Sequence, residues 1–354
     1  MKKQISMILF LAIIAGTSQV YAQAIGGSDP RPISCVTDNP FAPIAGIPYS
    51  YSAEVSPLTG QAYWYATLST QFIDEGVRVA TEEVAPGPVV EAATNYMTAA
   101  QVNANPTTTT ITWTSQGLAD ATVAPGDPPE LFVVVEYEAP ATGCANNMKV
   151  YPILPINAFT VDILNIEDAS QVPLAYDATD EQCAPGVVSA EWIATPAPNG
   201  SIDYDFGINY LYFEVVAANF TDSYTPSFQL SGLIGDQTAD IAWGYSLGTY
   251  DHSVVAGASN GNWTDDEAVT TSLSNTSAGV SIYVRVTVYN NDTEGLALIP
   301  ITLAVDAVNA AGQPDVYHVD CTENDPFADL AVQNVNPRPT VDPVAPGVFL
   351  PVQP

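Results

Sequence analysis

Short runs of β-branched and aromatic residues, with polar residues at alternate positions, recur along most of the chain. The clearest run is SIYVRVTVYN, residues 281–290, where every second position from 282 is Ile or Val and those between are Tyr, Arg or Thr. A repeat of two places all the aliphatic side chains on one face of a strand. The run therefore predicts a half-buried strand, and the Asn290-Asn291-Asp292 segment after it predicts a turn.

Seven other runs have the same character, and each is bounded by Pro, Gly, Asn or Asp. They predict strands at residues 49–55, 62–68, 109–115, 131–139, 157–166, 209–218 and 300–308. Helical periodicity is weak, and residues 91–102 are the best candidate for a short helix. With 29 prolines and 23 glycines in 354 residues, the pattern predicts an all-β chain, and such chains bury their strands in sandwiches or barrels.

The N-terminus has the three parts of a secretory signal peptide. Lys2 and Lys3 precede the apolar run 7–15, and Val20-Tyr21-Ala22 resembles a cleavage site. Residues 1–22 are therefore predicted to be removed on export to the extracellular surface or medium, with the periplasm as the alternative. No membrane insertion is expected after cleavage, because the best remaining apolar segment, 296–308, is short and broken by proline and aspartate.

The rest of the chain is predicted to form two modules and a tail. The first module is placed at residues 23–156 and the second at 157–326. Residues 327–354 contain prolines at 337, 339, 343, 346, 351 and 354. Because proline cannot donate a ladder hydrogen bond, these residues are predicted to form an extended tail and no central strand. The tail residues Phe349 and Leu350 are candidates for docking along the sheet edge of a neighbouring molecule.

The four cysteines predict disulfide bonds, because an even number in an exported chain usually pairs. They are Cys35, Cys144, Cys183 and Cys321. Three pairings are open. The local pairing, Cys35–Cys144 with Cys183–Cys321, would close one loop of more than a hundred residues in each module and contribute roughly 4 to 5 kcal/mol per bridge.

The charge of the chain restricts its partners. There are 7 Lys and Arg residues against 39 Asp and Glu, a net charge of -32. Nucleic acids and anionic membranes bind clustered bases, so both are excluded as partners. The many carboxylates make Ca²⁺ the one cofactor worth considering. The candidate ligands lie in acidic loops, for which solvated turns are the alternative: Asp177, Asp180, Glu181, Asp265, Asp266 and Asp292.

No catalytic motif is present, and the chain is predicted not to be an enzyme. Two histidines occur, His252 and His318. Asp251-His252-Ser253 does not predict a triad, because adjacent side chains on a strand point to opposite faces. Trp64, between two tyrosines, is a candidate sugar-stacking residue, and a place in the core of a sandwich is the alternative.

One short sequence motif, called here the repeated phrase, occurs near both ends of the chain. SCVTDNPFAP begins at residue 34 and DCTENDPFAD at residue 320, and each has a Cys followed by Asn or Asp and Pro-Phe-Ala. The Asn or Asp before proline favours a turn. We therefore predict a common origin or a common capping role at the rim of each module, with Phe41 or Phe327 inserted into its end; chance similarity is the alternative.

The segment 111–144 resembles PKD-like and immunoglobulin-like modules of secreted bacterial surface proteins. Its matching positions are Trp113, Gly117, the strand 133–137 and Gly143-Cys144. The segment 281–305 resembles the hairpin of bacterial immunoglobulin-like repeats. The resemblance implies two immunoglobulin-like β-sandwich domains with a spacer, adhesive or assembly role. The proline-rich tail departs from these families, as does the lack of a recognisable anchoring motif.

These observations predict a secreted structural or adhesive surface protein. Its expected partners are proteins, either other copies in a filament or members of a larger surface complex, bound by edge strands or by the tail. The alternative is a carbohydrate-binding protein that uses exposed aromatic residues.

Overall fold

Strands dominate the structure, a computed structural model, so the prediction of an all-β chain is confirmed. No helix in the described residues is long and apolar enough to cross a membrane. The residues described are 39–55, 61–68, 70–74, 77–78, 89–91, 99–101, 108–121, 131–138, 147–167, 171–193, 200–264, 267–270, 279–322 and 324–340.

The first module is built from small antiparallel sheets. β1 pairs with β7, β2–β8–β9 form a three-stranded sheet, and β3–β4 and β5–β6 are short ribbons. Its elements are β1 (Pro48–Ser52), β2 (Gln61–Thr67), β3 (Ile73–Asp74), β4 (Val77–Arg78), β5 (Val89–Glu91), β6 (Ala99–Gln101), β7 (Thr108–Thr112), α1 (Ser115–Asp120), β8 (Leu131–Glu138) and β9 (Asn147–Ile153).

The sheets β1–β7 and β2–β8–β9 contribute to one hydrophobic core, called here the first core, which contains residues from Ile44 to Ala158. Trp64 and Trp113 are both fully buried in it. The indole Nε1 of Trp113 donates to the hydroxyl of Tyr51 at 3.2 Å, and that hydroxyl donates to the carbonyl of Pro40 at 2.6 Å. The indole nitrogen of Trp113 and the hydroxyl of Tyr51 are therefore satisfied.

The second module is larger and more regular. Its strands are β10 (Thr160–Glu167), β11 (Val172–Pro173), β12 (Asp180–Cys183), β13 (Ser189–Ile193), β14 (Ser201–Asp205), β15 (Ile208–Ala218), β16 (Ser223–Ser231), β17 (Thr238–Gly244), β18 (His252–Ala258), β19 (Gly261–Thr264), β20 (Val269–Thr270), β21 (Val280–Tyr289), β22 (Ile299–Asn309) and β23 (Asp329–Asn336).

Two sheets of the second module face each other across one core. One sheet has the order β11–β10–β15–β21–β17–β18, and the other has the order β12–β23–β22–β16–β19, with β20 also paired to β16. The core between them, called here the second core, contains residues from Phe159 to Val335. The change from one core to the other falls between Ala158 and Phe159, next to the boundary predicted from the sequence.

The alternation in residues 281–290 is confirmed as a half-buried strand. Ile282, Val284, Val286 and Val288 have no exposed surface and lie in the second core. Burying a side chain of this size contributes roughly 1.5 to 3 kcal/mol relative to leaving it in water. Of the residues between them, Tyr283 and Arg285 are partly exposed on the other face of β21, whereas Thr287 is buried.

The other seven predicted strands are confirmed as β1, β2, β7, β8, β10, β15 and β22. The helix predicted at 91–102 is wrong at its ends, since Glu91 belongs to β5 and residues 99–101 form β6; the residues between them lie outside the described part. A short helix, α1, instead follows Trp113. Thr114 caps it by accepting a hydrogen bond from the backbone N–H of Gly117 at 3.0 Å, as N-cap residues do.

The predicted start of the extended tail at residue 327 is wrong. β23 pairs with β22 in antiparallel and with β12 in parallel orientation, so it lies inside its sheet. The prolines begin at Pro337, one residue after β23 ends, and they leave this strand free to donate its ladder hydrogen bonds. Ala331, Gln333 and Val335 are buried along its inner face, so the second module extends to Asn336.

The repeated phrase forms the same kind of turn in both places. The N–H of Ala42 donates to the carbonyl of Asn39, and the N–H of Ala328 donates to that of Asp325, each at 3.0 Å. Phe41 is 42% exposed and stacks on Tyr151 with ring centroids 5.7 Å apart. Insertion of Phe41 into the end of the first sandwich is therefore wrong. The shared element is a four-residue turn, and strands β1 and β23 follow the two turns.

The prediction that Cys183 is disulfide-bonded is wrong, which excludes the local pairing among the three that the sequence left open. Cys183, at the end of β12, is a free and exposed thiol. Cys321 is disulfide-bonded and packs against the first core. Cys35 and Cys144 lie outside the described residues. Cys321 therefore does not close a loop within the second module as the local pairing requires.

The two modules contact each other directly. Ser115 and Thr221 exchange two hydrogen bonds, in which each backbone N–H donates to the other side-chain oxygen at 2.8 Å. Both residues are buried. The side-chain amide of Asn157 donates to the carbonyl of Pro314 at 2.9 Å. The buried Ser115–Thr221 pair fixes the N-terminus of α1 against the loop before β16.

Candidate functional site

The hairpin formed by β13 and β14 is the most exposed part of the described structure. Every residue of both strands is exposed, and the two strands pair only with each other. Trp192 is 63% exposed, Ile202 49% and Val188, just before the hairpin, 68%. Apolar side chains of this size are normally buried, so a contiguous group of them marks an interaction surface.

The two faces of this hairpin differ in character. Ala190 lies opposite Tyr204, and Trp192 lies opposite Ile202, so these four side chains share one face. On the other face Glu191 lies opposite Asp203, and Asp205 follows two residues later. One face is therefore apolar and aromatic, and the other carries carboxylates.

Gly200 gives room for the exposed tryptophan. A Cβ atom at this position would lie 2.1 Å from Cζ2 of Trp192 and 2.5 Å from the carbonyl oxygen of Ile193. Any side chain at residue 200 would therefore move the indole ring. This close approach fixes the ring against the start of β14 and reduces the conformational entropy that binding would otherwise remove.

Arg338 attaches the base of the hairpin to the end of the second module. Its Nε donates to the carbonyl of Pro185 at 2.9 Å, and one terminal nitrogen donates to that of Phe206 at 2.5 Å. The other terminal nitrogen donates to the carbonyl of Glu294. Its guanidinium carbon lies 4.6 Å from the centroid of the Phe206 ring. The hairpin therefore projects from a fixed base.

Carboxylates from three segments meet beside this base. A hydrogen bond to Asp203, reinforced by the charges of Asp203 and Asp236, raises the pKa of Asp292. Asp236 accepts hydrogen bonds from the backbone N–H of Asp292 and from the hydroxyl of Thr293, and the Thr293 bond lowers the pKa of Asp236. Asp292 and Asp236 thus hold the Asn290–Thr293 loop near the acidic face of the hairpin.

Four of the six predicted calcium ligands, Asp177, Asp180, Glu181 and Asp292, lie in the described residues. Asp177 and Glu181 are exposed, whereas Asp180 is buried in β12. Asp265 and Asp266 lie outside the described residues. No group of three or more His, Cys, Asp or Glu side chains in the described ranges is arranged to hold a metal ion. Calcium binding stays a prediction from the sequence.

The prediction that Trp64 stacks on a sugar is wrong, because Trp64 is buried. Its side chain has no exposed surface and lies in the first core, where a ligand cannot reach it. The tail residues Phe349 and Leu350, the candidates for assembly, lie outside the described residues, as does the predicted signal peptide.

His252 is held by stacking and by acidic neighbours. Its ring lies 4.0 Å from that of Trp243 and nearly parallel to it. Its Nδ1 lies 2.8 Å from a carboxylate oxygen of Glu267, and its Nε2 lies 3.5 Å from one of Asp251. A catalytic histidine needs one ring nitrogen beside the nucleophile, whereas both of these nitrogens face carboxylates.

A second surface is built on the outer face of the sheet of β10, β15, β21 and β17. Tyr212 on β15 lies opposite Arg285 on β21, and Ala242 on β17 lies on the other side of Arg285. The guanidinium carbon of Arg285 lies 5.7 Å from the ring centroid of Tyr210 and 4.9 Å from that of Tyr250. We call Arg285 with Tyr210, Tyr212, Tyr250 and Tyr289 the tyrosine platform.

The loop after β17 completes this platform. A Cβ atom on Gly244 would lie 1.9 Å from the carbonyl oxygen of Thr249, so glycine is required where the loop folds back. The loop places Tyr250 beside Tyr212, with ring centroids 6.0 Å apart. On the opposite side, the hydroxyl of Tyr289 donates to Asp240 at 2.6 Å.

The sequence comparisons identify no relative. No protein-family model matches the chain, and no curated protein matches its sequence.

Solved structures of bacterial surface proteins share a low similarity with this fold. A variant of BcpA, the major pilin subunit of Bacillus cereus, is 8% identical with a TM-score of 0.27, over 79% of this chain and 65% of the pilin. The major pilin SpaD of Corynebacterium diphtheriae is 10% identical with a TM-score of 0.23, over 73% of this chain and 59% of that one.

The collagen adhesin of S. aureus is 7% identical with a TM-score of 0.23, over 84% of this chain and 90% of the adhesin. The chain spans less than two thirds of the length of the two pilins. At these TM-scores the similarities carry no argument about detailed topology or function.

Neither exposed surface was singled out from the sequence. The run SAEWI alternates small or apolar with polar residues, and SIDYD does the same, which is a signal for an amphipathic hairpin. In the two strands of the platform the signal is alternate Tyr and Arg at 210, 212, 283, 285 and 289, a polar and aromatic row opposite a fully aliphatic one.

Proposed function

We propose that this is an exported, non-enzymatic structural or adhesive protein that binds a protein partner at the cell surface through the apolar face of the β13–β14 hairpin. The observation that carries the proposal is that a hairpin with a fixed base exposes Trp192, Ile202 and Tyr204 on one face. Large aromatic and aliphatic side chains in a rigid setting are the residues that dominate protein interfaces. The predicted signal peptide supports the location.

The charge of the hairpin limits what the partner is. Glu191, Asp203 and Asp205 lie on its other face, and the chain has a net charge of -32. A second copy of the chain would bring like charges together, which opposes association. The charges therefore favour a different protein, one with an apolar recess surrounded by Lys and Arg, over self-assembly into a filament.

Removing the apolar side chains from the hairpin is expected to release the protein from the cell surface. The double variant W192S/I202S should lower the fraction retained on the producing cells by roughly fivefold or more, because buried Trp and Ile anchors carry much of the affinity at an interface. The measurement is an immunoblot of the cell-bound and medium fractions. Folding should be unaffected, since both side chains are exposed in the free protein.

The matched control is L296S/L298S. Leu296 and Leu298 are each 49% exposed, in the segment before β22, so the control also removes two exposed apolar side chains but outside the hairpin. Equal retention of wild type and W192S/I202S would contradict the proposal. Sedimentation of the purified protein tests the charge argument: a concentration-dependent dimer that W192S/I202S abolishes would identify a second copy as the partner.

A further inference from the structure

Arg285 of the tyrosine platform has an unusual electrostatic setting. The chain contains 7 basic residues and 39 acidic ones, so a base would be expected to lie beside a carboxylate. Among the described residues, the ion pairs involve His252 and none involves Arg285. Its buried Nε atom has no hydrogen-bond partner. A cation that stays unpaired in so acidic a chain is available to an anion from outside.

The other described cations show the contrast. Arg338 donates hydrogen bonds to four backbone carbonyls at the base of the hairpin. Arg285 instead contacts the rings of Tyr210 and Tyr250. Aromatic faces hold a guanidinium in place without neutralising it. Because Nε is buried, the two terminal nitrogens are the donors that would bind a carboxylate in a bidentate manner.

The surroundings of Arg285 add two further features. Tyr210 is 42% exposed, so part of this side chain, next to the cation, is accessible to a ligand. Asp240 already accepts hydrogen bonds from the hydroxyl of Tyr289 and from the backbone N–H of Gly257, so it is fixed as an acceptor on the far side. Ala242 on β17 lies next to Arg285, and because its side chain is small it leaves a shallow space beside the guanidinium.

From this arrangement we infer that the tyrosine platform binds a polysaccharide whose sugars carry isolated carboxylates, with Arg285 holding one carboxylate and Tyr210 packing against an adjacent pyranose ring. The C–H face of a pyranose is apolar and matches a tyrosine ring, whereas its hydroxyls match Asp240 and the tyrosine hydroxyls. The site is separate from the β13–β14 hairpin and does not depend on the function proposed for it.

The overall charge decides between anionic ligands. A polyanion such as a nucleic acid or a heavily sulfated glycan would be repelled by a chain of net charge -32. One guanidinium can compensate a single carboxylate at close range, where the local contact outweighs the screened field of distant charges. An acidic peptide would satisfy Arg285 but would bring further charges and would not use the ring faces of the platform.

The test compares two forms of one sugar on the full-length secreted protein. The probes are a xylo-oligosaccharide that carries a single glucuronate residue and the same oligosaccharide with that carboxylate methyl-esterified, and binding is measured by titration calorimetry at physiological salt. Wild type is expected to bind the acid form roughly tenfold or more tightly than the ester, because the ester cannot make the charge-assisted bidentate contact. Arg285→Gln is expected to bind both forms with the same weak affinity.

Lys149→Gln is the matched control, because it removes one exposed positive charge from β9 in the first module and should leave the preference for the acid form unchanged. Tyr210→Ala, which alters an exposed ring, should weaken binding of both forms and keeps the test valid if Arg285→Gln fails to fold. The inference is overturned if wild type binds neither sugar, if Arg285→Gln still prefers the acid form, or if a glutamate-rich peptide binds and the sugars do not.

Discussion

Replacement of Cys321 with serine is expected to destabilise the protein strongly, whereas replacement of Cys183 with serine is expected to change little. Cys321 is disulfide-bonded and packs against the first core, and Cys183 is a free exposed thiol. Since Cys183 is free, the bridge from Cys321 is expected to reach Cys35 or Cys144, which closes a loop of roughly 180 residues or more. In the chain-entropy model such a bridge contributes about 5 kcal/mol.

The measurement is thermal unfolding under oxidising conditions. C321S should melt roughly 10 °C or more below wild type, given the usual relation between free energy and Tm for modules of this size. C183S should have the same Tm as wild type. Reductant should lower the Tm of wild type and C183S towards that of C321S, because only those two proteins retain the bridge to lose.

Peptide mapping without reduction supplies an independent check. It should connect the peptide with Cys321 to one with Cys35 or Cys144 and leave the Cys183 peptide unlinked. A Cys183–Cys321 peptide, or equal Tm values for C321S and C183S, would contradict the expectation.

The strands could be predicted from the sequence wherever one face of the strand is buried and the other face is exposed to solvent. In β21 the aliphatic positions from Ile282 to Val288 all lie in the second core, because the two-residue repeat of a strand matches the alternation in the sequence. The same reasoning located β15 and β22. These strands lie at the centres of their sheets, where burial on one face decides the pattern.

The tail boundary and the pairing of Cys321 depend on which residues are neighbours in space, and residue types alone do not reveal these neighbours. The prolines from Pro337 onward carry no information about the ten residues before them, and β23, which ends at Asn336, alternates buried and exposed residues. The pairing of Cys321 depends on which loops meet where the modules join, and contacts between residues more than a hundred positions apart leave no local pattern.

The candidate sites were hidden from the sequence for a related reason. Trp64 stands out as an aromatic in a row of tyrosines, yet it is in the core, while the exposed tryptophan is Trp192 in a short run. An inward and an outward strand position differ by one residue, and composition does not say which face meets the partner sheet. The platform likewise depends on Tyr250, which a loop brings back over Gly244.

Replacement of Asp315 with asparagine is expected to stabilise the protein at pH 8 and to leave its stability at pH 4 nearly unchanged. Asp315 is 3% exposed. Burial, together with a hydrogen bond to Asp306 and the charge of that residue, raises the pKa of Asp315 to about 7. Asp315 accepts from the backbone N–H of Ala307 and from the side chain of Asn324, both at 3.3 Å.

The sign follows from the direction of this shift. A carboxyl whose pKa is higher in the folded protein than in the unfolded chain favours folding while it is protonated. Its contribution is complete below the unfolded pKa near 4 and is lost as the pH rises to about 7. At the usual free energy per pKa unit, the loss is about 4 kcal/mol.

Asparagine remains neutral at every pH and can keep an oxygen towards Ala307, so Asp315→Asn should be more stable than wild type at pH 8 by a few kcal/mol. Urea unfolding at pH 4, 6 and 8 measures the difference. Asp325→Asn is the control, since it removes one negative charge from an exposed position in the nearby turn and reports the general effect of net charge. If Asp315→Asn and wild type showed parallel profiles of stability against pH, Asp315 would be ionised in the folded protein. The Asp315–Asp306 pair would then not be a cause of the pH dependence of stability.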